Sequence, residues 1–257
     1  MDPVLLSRSE DGVLWLTLHR PKVRNALSDD LRTALFDALR IAATDASIRA
    51  VVIRGSGGAF CSGADVSQLG IGPAGTAQML ERGREIVMAL AELPKPIVAA
   101  VQGPAAGAGF SLALACDLIV ADESAAFHPV FAKAGLAPDW AFTHWFVRTL
   151  GLHRAKDILL TGRALPAAEA HDLGIVARLW PSGEFEENLR AFAIGLADGP
   201  TVALGATKRL INQAVETDLA GSLSAEAYAA LYVTGTSDHA EAVAAFADKR
   251  PARFQGH

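Results

Sequence analysis

The stretch that most constrains the fold is residues 96–122, PIVAAVQGPAAGAGFSLALACDLIVAD. Ile97 to Val101 reads as a buried strand, Gly103-Pro104 breaks it, and the small residues Ala105 to Gly109 form a turn. A helix is expected from Phe110 to Cys116, then a second apolar strand from Leu118 to Ala121. A strand feeding a glycine-rich turn at a helix start directs free backbone N–H groups and the positive end of the helix dipole at one place. Such a place suits a phosphate, or a carbonyl oxygen that gains negative charge during reaction; a tight turn with no ligand is the alternative. The glycines at 107 and 109 do not continue into GxGxxG, and no GxxxxGK[ST] occurs, so neither nucleotide fingerprint is complete.

A second stretch repeats the pattern. Arg49 to Arg54 reads as a strand, followed by Gly55-Ser56-Gly57-Gly58, the small-residue run AFCSGAD (residues 59–65) and a short helical piece, Val66 to Leu69. Parallel strands in a layered sheet bring their C-terminal turns out on one side. An amide near Ala64 and the amides of the later turn are therefore expected at a common site.

Around these two stretches, Asp11-Gly12 signals a turn and Val13 to His19 a strand. Arg20, Lys22 and Arg24 cluster before Asn25, and Ser28 reads as an N-cap, with Asp29 and Asp30 in the first helical turn and Leu31, Leu35, Leu39 and Ala42 at helical spacing. Gly70 to Gly75 reads either as a flap over a ligand or as an ordinary connection, before a helix from Thr76 to Leu93. Asp139 has two readings. It is an N-cap for a helix from Trp140 to Leu150, or it is a carboxylate facing an apolar pocket, where desolvation would raise its pKa and make it a usable base near neutral pH. Helices follow at 151–161 and 166–173, a strand at 175–180, then helices at 184–197, 200–215, 219–232 and 238–249.

The 257 residues carry a net charge of −5, which argues against a nucleic-acid partner bound through phosphates. Two cysteines, Cys61 and Cys116, suit a reducing compartment. No apolar run has membrane-spanning length, and the first residues do not read as a signal peptide, so a cytoplasmic protein with no membrane partner is expected. No CxxC, HExxH or GxSxG occurs, so no metal is expected and elbow-type serine hydrolysis has no support.

Taken together, RPKVRNALS (20–28), AFCSGADVSQL (59–69), KPIVAAVQGPAAGAGFSLALACDLIVAD (95–122), LTGRALPAAEAHDLGIV (160–176) and AFADKRPARF (245–254) resemble the crotonase superfamily, the enoyl-CoA hydratase/isomerase fold, across nearly the whole chain. The resemblance implies an α/β spiral of ββα repeats over residues 1–195 and a helical oligomerisation region over 196–257 that makes homotrimers, often paired into hexamers. It implies a coenzyme A thioester as substrate and no tightly bound cofactor. By motif position the thioester carbonyl would lie between the backbone amides of Ala64 and Ala108, two donors that stabilise an enolate by roughly 3 kcal/mol each. Arg24, Ala26, Ser62, Asp65 and Val66 match the segments that cradle adenine and pantetheine. Lys249 matches a residue that reaches a neighbouring subunit's coenzyme A phosphates.

The sequence departs from the hydratases of that family. Their two water-activating glutamates fall on Ser111 and Phe131, and neither can act as a carboxylate base. What stays is Asp139 in GLAPD (135–139), which resembles isomerases that move a double bond with one aspartate. Dehalogenases of the family use an aspartate here too, but with a histidine base, and none stands between Ser67 and Pro96. Trp140 and Phe142 are expected to narrow or line the acyl pocket with Ser111 and Phe131. Three readings follow: an isomerase using Asp139, an acyl-CoA binder without chemistry, and an atypical hydratase or thioester hydrolase.

Overall fold

The computed structural model describes residues 2–68 and 72–257. Asp11 and Gly12, at φ 51° and 74°, close a two-residue hairpin between β1 (Leu5–Glu10) and β2 (Val13–Leu18). The first of these strands was not expected from the sequence. It is a largely exposed edge strand with no apolar alternation, and it is held by pairing from Leu5↔Leu18 to Glu10↔Val13. Ser28 caps α1 (Asp29–Thr44) by accepting a hydrogen bond from the Leu31 amide, and Leu31, Leu35, Leu39 and Ala42 are buried, as the helical period predicts. Then come β3 (Ala50–Gly55), α2 (Gly72–Glu92), β4 (Ile97–Val101), β5 (Pro104–Ala106), α3 (Ala108–Ala115), β6 (Leu118–Asp122) and β7 (Ala126–His128). The chain continues through α4 (Phe142–Leu150), α5 (Leu152–Thr161), β8 (Leu165–Pro166), α6 (Ala167–Asp172) and β9 (Arg178–Trp180). It ends in α7 (Phe185–Ala197), α8 (Thr201–Ala214), α9 (Leu219–Thr234) and α10 (Ser237–Asp248).

The main sheet has six strands in the order β1-β2-β3-β4-β6-β9, parallel throughout except for the β1–β2 hairpin. Both faces are covered, which explains why β3 and β4 read as continuous apolar runs. Val51, Ile53, Ile97 and Ala99 pack with the α1 to α3 side, while Val52, Val98 and Val120 pack with Phe185, Leu189 and Ala193 of α7. A second, three-stranded sheet, β5-β7-β8, stands beyond the C-terminal ends of the parallel strands. The chain leaving β3 joins it through a bridge between Cys61 and Ala105, so the two small-residue turns do meet on one side.

Several expected boundaries shift, among them the strand expected from Ile175, which starts at Arg178. The helix expected at Phe110 starts at Ala108, which makes Ala108 its first residue rather than part of the turn. The helix expected from Trp140 starts at Phe142, because Trp140 and Ala141 hold left-handed φ values of 52° and 58°. The helix expected from Thr76 starts at Gly72 and takes in residues 72–75 of the stretch read as a flap or an ordinary connection; Gly70 and Ile71 lie outside the described residues, as does Leu69.

The 195/196 boundary falls inside α7, which packs on the main sheet. The chain after α7 is anchored to the core by Arg49, whose guanidinium donates to Gly199 O, Thr201 Oγ1 and Phe254 O. Among the described residues no helix is long and apolar enough to cross a membrane.

Candidate active site

Two peptide units define the centre of the site, and each is fixed by its carbonyl. A peptide is planar and trans, so its C=O and N–H point in opposite directions. The Gly63 carbonyl accepts a hydrogen bond from the Leu27 amide at 2.8 Å, which aims the Ala64 N–H of the same unit the other way. The Gly107 carbonyl accepts from the Ser111 amide at 3.0 Å, which aims the Ala108 N–H out of the start of α3. Among the described residues neither amide donates to a protein acceptor. The two units abut: a methyl built on Gly63 would stand 3.4 Å from the Ala108 nitrogen and 2.7 Å from the Ala106 oxygen.

The glycine pattern follows from that closeness. Gly107 sits at φ 50° and ψ −124°, outside the range of other residues. A Cβ on Gly109 would lie 2.4 Å from the Cys61 carbonyl oxygen. Ala108 has ordinary helical geometry, so a methyl at this position costs the backbone nothing.

Asp139 is the acid beside this pair. It is not an N-cap: its side chain takes no part in starting α4, and only its backbone carbonyl accepts from the Phe142 amide. Its Oδ1 is buried with no hydrogen-bond partner. Burial pushes the carboxyl up to about 6, with the Arg32 charge a smaller effect in the opposite direction. Ser111, completely buried on α3, donates from its hydroxyl toward Asp139 O at 3.2 Å and Gly107 O at 3.3 Å. One hydroxyl thus links the acid's backbone to the helix whose first amide is Ala108.

The residues expected to line an acyl pocket are all buried here. Trp140, with its unfavourable left-handed backbone, lays its indole against α2, where a methyl on Gly83 would stand 2.2 Å from Nε1. Phe131 meets Phe142 edge-on at 5.2 Å between ring centres. Phe142 itself has no exposed surface and sits among Phe110, Phe131 and Phe146, so it belongs to the aromatic core.

The segments expected to hold the coenzyme are tied to one another. Ser62 donates from its amide to Arg24 O and from its hydroxyl to Val23 O. Arg24 and Val66 are exposed, while Ala26 and Asp65 are buried. The Asp65 carboxylate accepts from the Ser67 amide and hydroxyl and from Arg20, bonds that hold it below the usual carboxylate range, the Ser67 hydroxyl contributing most. Lys249 caps α10 at φ 54°, exposed, and α10 packs within the chain against α9. Within one chain the structure does not bring Lys249 to the Ala64–Ala108 pair.

Sequence reasoning missed three residues of the scaffold. Arg20 bridges Ala26 O and Asp65, and the buried Asn25 amide donates to Ser56 O and Ala59 O, stitching the two loops together. Arg32 is the third. It lies three residues before Leu35 and seven before Leu39, on the apolar stripe of α1, and a charge in that register was the available signal. Among the described residues no cluster of metal-ligating side chains occurs.

The parallel α/β core thus sets two free amides on abutting peptide units, and Ser111 ties the Asp139 backbone to the helix that starts at the second of them. The chain belongs to the enoyl-CoA hydratase/isomerase family, whose model matches residues 8–257, and members of that family act on acyl-CoA thioesters. It is 36% identical over 257 residues to the 1,2-epoxyphenylacetyl-CoA isomerase of Escherichia coli K12, covering 98% of each chain. It is 34% identical over 256 residues to the 2,3-dehydroadipyl-CoA hydratase of the same organism, covering all of both. The crystal structure of an enoyl-CoA hydratase from Polaromonas sp. JS666 superposes with a TM-score of 0.93 at 35% identity, covering 97% of this chain and 99% of that one.

Proposed function

We propose that the protein isomerises a double bond in an enoyl-CoA thioester, with Asp139 as the single proton carrier and the Ala64 and Ala108 amides as the oxyanion donors. The observation that carries this reading is the half-buried Asp139 carboxyl, with Oδ1 shut off from solvent and without a partner, raised by desolvation to about 6. An ionised Asp139 removes a proton from the carbon between the thioester and the double bond. The electron pair moves onto the thioester oxygen, giving a dienolate that the two amides stabilise. Asp139 then returns the proton at the far carbon, and the carboxylate is regenerated. No water enters the product. Ser111 and Phe131 offer no second carboxylate for water activation, which separates this chain from the two-glutamate hydratase pattern.

The substrate carries its own coenzyme A, so no further cofactor is invoked. Arg24, Ser62 and Val66, with the Ala26 backbone, would meet the nucleotide and pantetheine. Asp65 would act by fixing their loop, since its oxygens are already engaged. The helices after residue 196 would form the oligomer contact, and Lys249 would reach coenzyme A on a neighbouring copy. In support, α9 has no buried residue and exposes Leu219, Leu223, Tyr228, Leu231 and Tyr232, and Phe246 of α10 is 88% exposed.

Incubation with hex-3-enoyl-CoA in deuterated water, and separately in oxygen-labelled water, tests the reaction. The expected product is the conjugated hex-2-enoyl-CoA with no labelled oxygen; deuterium enters at carbon where the proton held on Asp139 exchanges with solvent before it is returned. Labelled oxygen in the product would assign hydration or hydrolysis instead. Absence of turnover across a panel of enoyl-CoA thioesters, with binding retained, would make the protein an acyl-CoA binder.

A further inference from the structure

Arg32 combines features that its place in the fold does not require. Its side chain is only 2% exposed, on a helix face otherwise made of leucine and alanine. A buried guanidinium on an apolar stripe is costly unless its donors are engaged. Nη1 donates to Leu27 O at 2.6 Å, while Nη2 donates to Asp29 Oδ1 at 2.5 Å and Gln68 Oε1 at 2.7 Å; Nε is buried without a partner.

Two of these acceptors flank the Ala64 peptide. Leu27 is the residue whose amide holds the Gly63 carbonyl, and so sets where the Ala64 N–H points. Gln68 ends the 3-10 turn that follows Ala64 and Asp65, and its own amide donates to Asp65 O at 2.9 Å. The guanidinium is therefore bonded both to the residue that holds the Gly63 carbonyl and to the residue that ends the turn after Ala64, without touching the Gly63–Ala64 peptide itself. A planar fork with fixed donor directions can do this; a lysine ammonium cannot reproduce the geometry.

We propose that Arg32 is a positioning residue for the Ala64 amide, holding it in line with the thioester oxygen. The proposal rests on the oxyanion reading of Ala64; because the Arg32 charge also lowers the Asp139 pKa, the carbonyl resonance of a bound thioester, and not kcat alone, separates the two effects. A donor displaced by a fraction of its bond length still permits binding of coenzyme A but polarises the carbonyl less. Loss of Arg32 therefore acts on the bound carbonyl and on kcat, and little on KM.

The test uses hexanoyl-CoA labelled at the thioester carbonyl carbon, which has no double bond to isomerise. Its carbonyl resonance is compared free and bound to wild type, Arg32→Met, Arg32→Lys and Arg32→Ala, each checked for fold by circular dichroism and for affinity by calorimetry. The wild type is expected to shift the resonance in the direction of polarisation. Arg32→Met and Arg32→Lys are expected to lose much of that shift, with kcat toward hex-3-enoyl-CoA reduced roughly ten- to a hundredfold. Arg32 also lines a polar cavity of about 630 Å³ with Ser67, Gln68, Gln78 and Arg82, so free guanidinium can enter the space left in Arg32→Ala. It is expected to restore part of the shift and of the rate. Should Arg32→Met not fold, Arg32→Lys and Gln68→Ala carry the same comparison. A folded variant that polarises the carbonyl as wild type does overturns the proposal. A wild type that shifts no resonance overturns both it and the oxyanion reading, whereas a normal shift with no role for Asp139 overturns only the isomerase reading.

Discussion

Asp139→Asn is expected to reduce isomerisation by about 10²- to 10⁴-fold, the usual contribution of a positioned proton carrier, while leaving acyl-CoA affinity close to wild type. The amide keeps the size of the carboxyl but cannot take the proton. The wild-type rate should rise with pH through a limb near 6, because the reacting form is the carboxylate and burial holds its pKa at about 6. The same substitution should stabilise the fold. A carboxyl whose pKa is higher in the folded than in the unfolded state binds its proton more tightly when folded. Its ionisation therefore costs stability, starting as pH rises past the unfolded value and reaching its full size above about 6. Asp139→Asn escapes that cost. It should be more stable than wild type at pH 7 by about 1–2 kcal/mol, allowing for the part of the carboxyl that solvent still reaches, and equally stable near pH 3. Urea titrations at the two pH values measure this, and hydrogen exchange at the substrate carbons measures the first effect. A variant with wild-type exchange would remove Asp139 from the mechanism.

Ala108→Pro is expected to lower kcat by roughly 10²- to 10³-fold, the loss associated with one oxyanion donor. Ala108 is the first residue of α3, a position where proline is well accepted, and its amide makes no hydrogen bond to the protein among the described residues. The preceding residue is Gly107, which has no Cβ for the ring to strike. The substitution therefore deletes one N–H without breaking a bond of the fold, and thermal stability should stay near wild type. The ring carbon replaces the amide hydrogen, so KM for the thioester should rise while affinity for free coenzyme A stays the same. Calorimetry with coenzyme A and steady-state kinetics with hex-3-enoyl-CoA separate the two effects.

The parts of this chain that were readable beforehand are those where a local rule and the tertiary structure agree. The β4 strand is buried on both faces and reads as an unbroken apolar run. The cap at Ser28 and the glycines at 107 and 109 are demanded by backbone geometry and stand out in the sequence. The β1 strand was not legible because its pairing comes from the neighbouring strand and not from its own side chains. The start of α4 was misplaced because Trp140 adopts a left-handed conformation that local preference disfavours and that its packing on Gly83 accompanies. The same turn takes Asp139 out of the capping role, so the choice between its two readings depended on a contact with α2 that spacing does not encode. Arg32 was hidden for a related reason: a charge in a helix is presumed solvated until its acceptors, Leu27 and Gln68, are found on other segments.

The most direct test is a crystal structure with a non-isomerisable acyl-CoA bound. The account predicts the thioester oxygen at hydrogen-bond distance, about 2.7–3.2 Å, from the nitrogens of both Ala64 and Ala108, with an Asp139 oxygen facing the carbons next to the carbonyl. A thioester oxygen that contacts neither nitrogen, with the acyl chain lying elsewhere, would contradict it.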